Sequence, residues 1–136
     1  MKQVFADAGF WTALLSPRDS LHLKALELSR AIPRRRVVTS EMVLTEMLNT
    51  LSNDGPISRS AAVRTVEAFN KSGDTIVVRQ TPEQFQRALQ RYKRSADKEW
   101  SLTDCASFLI MEEMGIREAL AHDQHFVQAG FRALLR

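Results

Sequence analysis

The feature that most narrows the fold is an alternation of short apolar runs with helical patterns along the whole chain. Residues 3–6, 36–38, 75–78 and 116–121 are strand-length and rich in Val, Ile, Phe and Ala. Each is too short for a helix, and one or two amphipathic stretches separate it from the next. Strands joined through helices imply right-handed crossovers and a sheet covered on both faces. The expectation is therefore an α/β fold, one domain over residues 1–136, with a mainly parallel central sheet of four to five strands. Residues 131–135 supply the optional last strand.

Local signals set the helix boundaries. Pro17 and Pro33 bracket helical patterns at 10–15 and 19–32. Thr39 and Ser40 can cap a helix whose apolar side carries Met42, Val43, Met47, Leu48 and Leu51, which Asn53-Asp54-Gly55-Pro56 ends. A helix opening at Ser58 carries Ala62, Val63, Val66 and Phe69 and stops at Gly73. Thr81-Pro82-Glu83-Gln84 supplies an N-cap, a proline at the first position and a glutamine at the third. The helix it opens should show Phe85, Ala88, Leu89 and Tyr92 on its apolar side. Ser101-Leu102-Thr103-Asp104 reads as a capping box for a helix ending at Gly115.

A chain of 136 residues, 44% hydrophobic, is sized for a single core. No window approaches the roughly 18 apolar residues of a membrane span, and mean hydropathy is −0.24. Asp7 interrupts the N-terminal apolar run, which does not read as a signal peptide. Cys105 is the only cysteine, so there is no internal disulfide and no Cys-rich zinc site, and a cytoplasmic location is expected. Net charge is +3, with a sequence pI of about 9.4. Basic residues gather at 33–36 and 86–94, making Arg34, Arg35, Arg91 and Arg94 candidates for phosphate contacts beside the plainer reading of solvated faces.

Acids sit at the junctions of this pattern. In parallel sheets ligands bind beyond the carboxyl ends of the strands. Asp7 follows the first strand, Asp123 follows the fourth, and Asp104 opens a helix at the same edge. Glu46 borders the apolar stripe of the helix after the second strand. Two carboxylates about 4 Å apart repel by roughly 4 kcal/mol at an effective dielectric near 20. Four together need a cation or shifted pKa values. Carboxylate oxygens suit Mg²⁺ or Mn²⁺, and the absence of a Cys/His set disfavours zinc.

The spaced motifs VFADAGFWTALL, TSEMVLTEML, SLTDCASFLIMEEMGI and ALAHDQHFVQAGF resemble the PIN-domain ribonucleases, particularly the VapC-type toxins of bacterial toxin–antitoxin pairs. The resemblance spans nearly the whole chain. It implies a PIN-like α/β domain that uses Mg²⁺ or Mn²⁺ to cut single-stranded or loop RNA. It makes Asp7, Glu46, Asp104 and Asp123 the catalytic metal ligands, with Thr103 as a secondary hydroxyl. It also implies a small antitoxin protein as inhibitor and a homodimer. Gly9 stands where the family often has serine or asparagine, so a secondary polar contact is missing. His22 matches a family histidine of structural role.

Other readings compete with this one. A non-catalytic PIN-like RNA-binding or interaction module would keep the acids without productive metal geometry. A phosphoryl-accepting receiver domain would want a second acid beside the first-strand pair and a late lysine, and the chain has neither. His122 and His125 flank Asp123, but His-x-x-His in a loop is common by chance. Cys105 reads as a small buried residue, and Trp11 and Trp100 as core or interface residues.

Overall fold

A computed structural model describes residues 2–136. Five strands form one sheet: β1 (Val4–Ala6), β2 (Val37–Ser40), β3 (Ile76–Val78), β4 (Glu118–Leu120) and β5 (Arg132–Ala133). Every pairing is parallel, in the order β3-β2-β1-β4-β5. Chain order runs outward from β1 to β3, then returns across the sheet to β4 on the other side of β1. The winding direction therefore reverses between β1 and β4, and a crevice opens beyond the carboxyl ends of those two strands.

The connections are helical: α1 (Ala8–Leu15) and α2 (His22–Ala31), then α3 (Glu41–Leu51) and α4 (Pro56–Ser72), then α5 (Pro82–Arg94) and α6 (Leu102–Met114). A short α7 (Gln124–Gln128) links β4 to β5, and one 3₁₀ turn (Arg34–Arg36) leads into β2. The expected caps form. Ser40 accepts from the Val43 N–H, and Thr81 from the Gln84 N–H. Gly73 and Gly115 end α4 and α6 with left-handed φ of +67° each, a conformation glycine adopts without the Cβ penalty. Helix α2 starts later than its sequence pattern because the Asp19 carboxylate accepts from the Leu21 N–H in a local turn.

The core is aromatic and aliphatic. Phe5, Phe10, Phe108, Phe126, Met47, Leu51, Met111 and Leu120 are fully buried. Phe108 lies edge-on to Trp100 and to Phe126, each at 5.0 Å between ring centres. Burying a Phe contributes about 1.5–3 kcal/mol, so Phe126 fixes the segment just after Asp123. Trp11 is buried as expected, and its indole N–H donates to Thr39 Oγ1 at 3.2 Å. Thr39 in turn donates to the Ala6 carbonyl at 2.9 Å, tying β2 to the end of β1.

Helix α5 departs from the expectation. Ala88 is its only fully buried residue, whereas Phe85, Leu89 and Tyr92 are all at least 36% exposed. The helix docks on α6 through Ala88 and through arginines that reach across to it: Arg87 pairs with Glu113, and Arg91 with Glu112. The apolar side predicted from spacing is therefore largely solvent-facing. Among the described residues, no helix is long and apolar enough to cross a membrane.

Candidate active site

Asp7 leaves β1 at its carboxyl end, where its N–H donates to the Leu120 carbonyl of β4 at 3.1 Å and prolongs the ladder by one residue. It is the N-cap residue of α1, yet its side chain makes no capping bond. The residue is only 9% exposed, and its Oδ1 has no hydrogen-bond partner among the described residues. A buried, unpartnered carboxylate oxygen is costly unless something positive meets it. Burial pushes the Asp7 carboxyl up to about 7; the Ala8 N–H pulls it back in part, and Asp104, Glu46 and Asp123 push it further up.

Asp104 is held from two sides. The capping box is complete: Ser101 Oγ accepts from the Asp104 N–H, and Asp104 Oδ2 accepts from the Ser101 N–H, both at 3.0 Å. The same Oδ2 lies 2.9 Å from Nδ1 of His125. Asp123 caps α7 by accepting from the His125 N–H at 3.0 Å, and its Oδ2 lies 3.2 Å from His125 Nδ1. Both aspartates therefore have structural partners on each side-chain oxygen that the cap and His125 reach, whereas Asp7 Oδ1 has none. Glu46 stands exposed on α3, and partial desolvation first, then Asp104 and Asp123, raise its carboxyl above the usual range.

All four acids line one open cleft of about 590 Å³ at the carboxyl edge, together with Gly9, Asp19, His122 and Arg136. A Cβ placed on Gly9 would meet nothing within 4 Å, so the glycine there removes a polar group without marking a close approach. Thr103 is half-buried in the first turn of α6 and does not line the cleft. His122 and His125 do not act as a pair, in line with the reading of His-x-x-His as a chance spacing. His122 Nδ1 is within 2.9 Å of the Leu135 carbonyl, while His125 alone turns to the acids. Arg136 is a site residue that sequence reasoning passed over, and His125 is one that it weighed only as half of a chance His-x-x-His spacing. For His125 the signal was its place two residues after an N-capping aspartate and beside the buried Phe126.

The arginine candidates fall elsewhere. Arg34 and Arg35 lie in the turn entering β2, at the amino edge of the sheet and opposite the acids. Arg91 makes two bonds to Glu112, at 2.6 and 2.9 Å, and stacks over the Trp100 and Phe108 rings. Arg94 is exposed in a shallow groove with Gln86, Arg87, Gln90 and Leu109 that shares no residue with the acid cleft. Other plain readings hold. His22 Nδ1 meets the Ala13 carbonyl at 2.7 Å, a structural contact. Cys105 is buried, its thiol pushed up by that burial, and Trp100 donates to Gln128.

A sheet-edge cleft of acids is common to many folds, and the comparison with known proteins decides among them. A family model described as "PIN domain" matches residues 4–132. The chain belongs to the PIN-domain family. This PIN domain is 31% identical over 131 residues to the 23S rRNA-specific endonuclease VapC20 of Mycobacterium tuberculosis, covering 94% of the chain and 95% of that protein. The crystal structure of VapC20, described as a sarcin-ricin loop cleaving toxin, superposes with a TM-score of 0.83 at 32% identity, over 95% of this chain and 96% of that one. FitAcB from Neisseria gonorrhoeae superposes with a TM-score of 0.63 at 12% identity, covering 96% of each chain, which shows the shared fold. The α/β architecture with an all-parallel sheet is that of the PIN fold.

Proposed function

We propose that this chain is a metal-dependent endoribonuclease of the VapC type, hydrolysing phosphodiester bonds in single-stranded or loop RNA. The observation that carries the reading is the convergence of Asp7, Glu46, Asp104 and Asp123 on one cleft, with a buried Asp7 oxygen left unpartnered. An RNA phosphate would be repelled by four carboxylates unless a divalent ion lay between them. The residues fit such an ion. Asp7, Asp104 and Asp123 supply carboxylate oxygens from three different backbone segments, and Glu46 adds one that can swing from the exposed face of α3. When bound, Mg²⁺ or Mn²⁺ would polarise a phosphoryl oxygen and acidify the attacking water.

The protein's own part is preorganisation. Asp104 is fixed by its cap and by His125, and Asp123 by the cap of α7. These two keep their geometry while Asp7, raised to about 7 without a cation, is the group most ready to change protonation. Arg136 also lines the cleft, and in this reading its guanidinium meets a phosphate flanking the scissile one. The likeness to VapC20 supports a structured ribosomal RNA loop as substrate; a small antitoxin as inhibitor, a homodimer and a cytoplasmic location complete the proposal. Incubation with a stem-loop RNA in Mn²⁺, Mg²⁺ or EDTA tests the activity. Size-exclusion chromatography alone and with the co-expressed antitoxin tests the partners.

A further inference from the structure

We propose that His125 is a direct nitrogen ligand of the ion the acids hold, so that this site takes Mn²⁺ and the later first-row divalent ions Co²⁺ and Ni²⁺ ahead of Mg²⁺. The inference rests on the reading of the cleft as a divalent-ion site and adds a donor outside the acid set.

The geometry is that of a chelate. His125 Nδ1 lies 2.9 Å from Asp104 Oδ2 and 3.2 Å from Asp123 Oδ2. One ligand atom from each of these three residues falls within 4.8 Å of the other two. Donors about 2.1 Å from a common ion and at right angles to one another stand about 3.0 Å apart. The observed separations match that spacing. Asp7, buried with an unpartnered Oδ1, lines the cleft beside Asp104 and Asp123, so a further carboxylate oxygen without a partner faces the space that an ion on those two would occupy.

The ring is also held in place. The backbone N–H of His125 donates to Asp123 Oδ1, the next residue is the fully buried Phe126, and the imidazole side chain is only 18% exposed. His122 is diverted to the Leu135 carbonyl, so the set has a single imidazole among carboxylates. Such a set is less suited to Mg²⁺, which favours oxygen and water, than to ions that accept nitrogen readily. Affinity at mixed N/O sites rises from Mn²⁺ through Co²⁺ to Ni²⁺. The competing role is that of a positioning residue, with Nδ1–H donating to Asp104 and never meeting the ion.

Two measurements separate these roles. Calorimetric titration of metal-free protein with Mg²⁺, Mn²⁺ and Ni²⁺ compares wild type with His125→Asn, whose amide N–H can still donate to Asp104, and His125→Asp, which makes the set all oxygen. Wild type should bind Ni²⁺ and Mn²⁺ more tightly than Mg²⁺. Both variants should weaken Ni²⁺ roughly 10-fold or more while leaving Mg²⁺ unchanged or tighter. Electron spin-echo modulation of the Mn²⁺-loaded wild type should show a nitrogen coupling, a result that needs no variant to fold. Absence of that coupling, or the same Ni²⁺-over-Mg²⁺ preference in all three proteins, overturns the inference while the acid site stands. Failure of wild type to bind any of the three ions overturns both.

Discussion

The two edges of the sheet handle charge in opposite ways. At the amino edge, Arg36 donates to the Lys2 carbonyl and the Arg34 carbonyl accepts from Thr75, so the basic turn is stitched to its neighbours. At the carboxyl edge, four acids share one cleft and one of them keeps a buried carboxylate oxygen without a partner. Parallel topology brings about the second arrangement. Strand ends and helix starts from distant parts of the sequence meet at that edge, and each can be capped or buried locally while the sum stays uncompensated. The edge where like charges are gathered into a cleft is where chemistry is expected, and the edge whose backbone is stitched to its neighbours is scaffold.

The largest effect should come from breaking the charged edge. Replacing Asp7 by Asn should lower RNA cleavage by about 100-fold or more, since losing a direct ligand should cost at least as much as losing a group that supports one. The same variant should melt higher than wild type in EDTA. Cleavage near wild-type level would detach Asp7 from the site.

The pH dependence follows from the raised Asp7 carboxyl. Its folded value, about 7, lies above the ordinary 3.8. Between those two values the folded state holds a proton that the unfolded chain has released, so stability falls as pH rises. The contribution is fully present below about pH 4 and lost by about pH 7, with an upper bound near 4 kcal/mol at 1.36 kcal/mol per pKa unit. Denaturant melts in EDTA from pH 4.5 to 7.5 should show the decline in wild type and a flatter profile in Asp7→Asn. Equal slopes would contradict the burial assigned to Asp7.

Much of this was legible in the chain because it is written locally. The capping box at Ser101 and Asp104, the left-handed glycines and the strand-length apolar runs each depend on a few adjacent residues. Three of the four acids follow from one topological rule about strand ends. What was not legible depends on long-range packing. The exposed Phe85-Leu89-Tyr92 side of α5 arises because Arg87 and Arg91 choose partners on α6. The short α7 has too few residues for a period, so His125 looked like half of a chance His-x-x-His pair until Asp104, 21 positions earlier, was brought against its ring.

Smaller effects sharpen the contrast. Arg91→Ala should cost about 1–2 kcal/mol in chemical denaturation, through lost stem packing and two charge-assisted bonds, without changing the salt dependence of RNA binding. A drop in the salt slope of about 0.7 would instead make it a phosphate contact. Gly9→Ser should stabilise by about 0.5 kcal/mol, since a helical glycine with open space around its Cα gives up backbone entropy without need. Reversing Arg34 and Arg35 to Glu should leave the salt slope unchanged, because RNA seated in the acid cleft would have to wrap the sheet to reach them.

The central claim is that the carboxyl-edge acids form one divalent-ion site that cuts RNA. The most direct measurement is cleavage of a labelled stem-loop RNA by purified wild type in Mn²⁺ and in excess EDTA, with Asp7→Asn in parallel and each protein shown to be folded by circular dichroism. Cleavage by wild type in Mn²⁺ alone, absent in EDTA and in the variant, is the predicted result. Cleavage that persists in excess EDTA, or in Asp7→Asn at the wild-type rate, would contradict it.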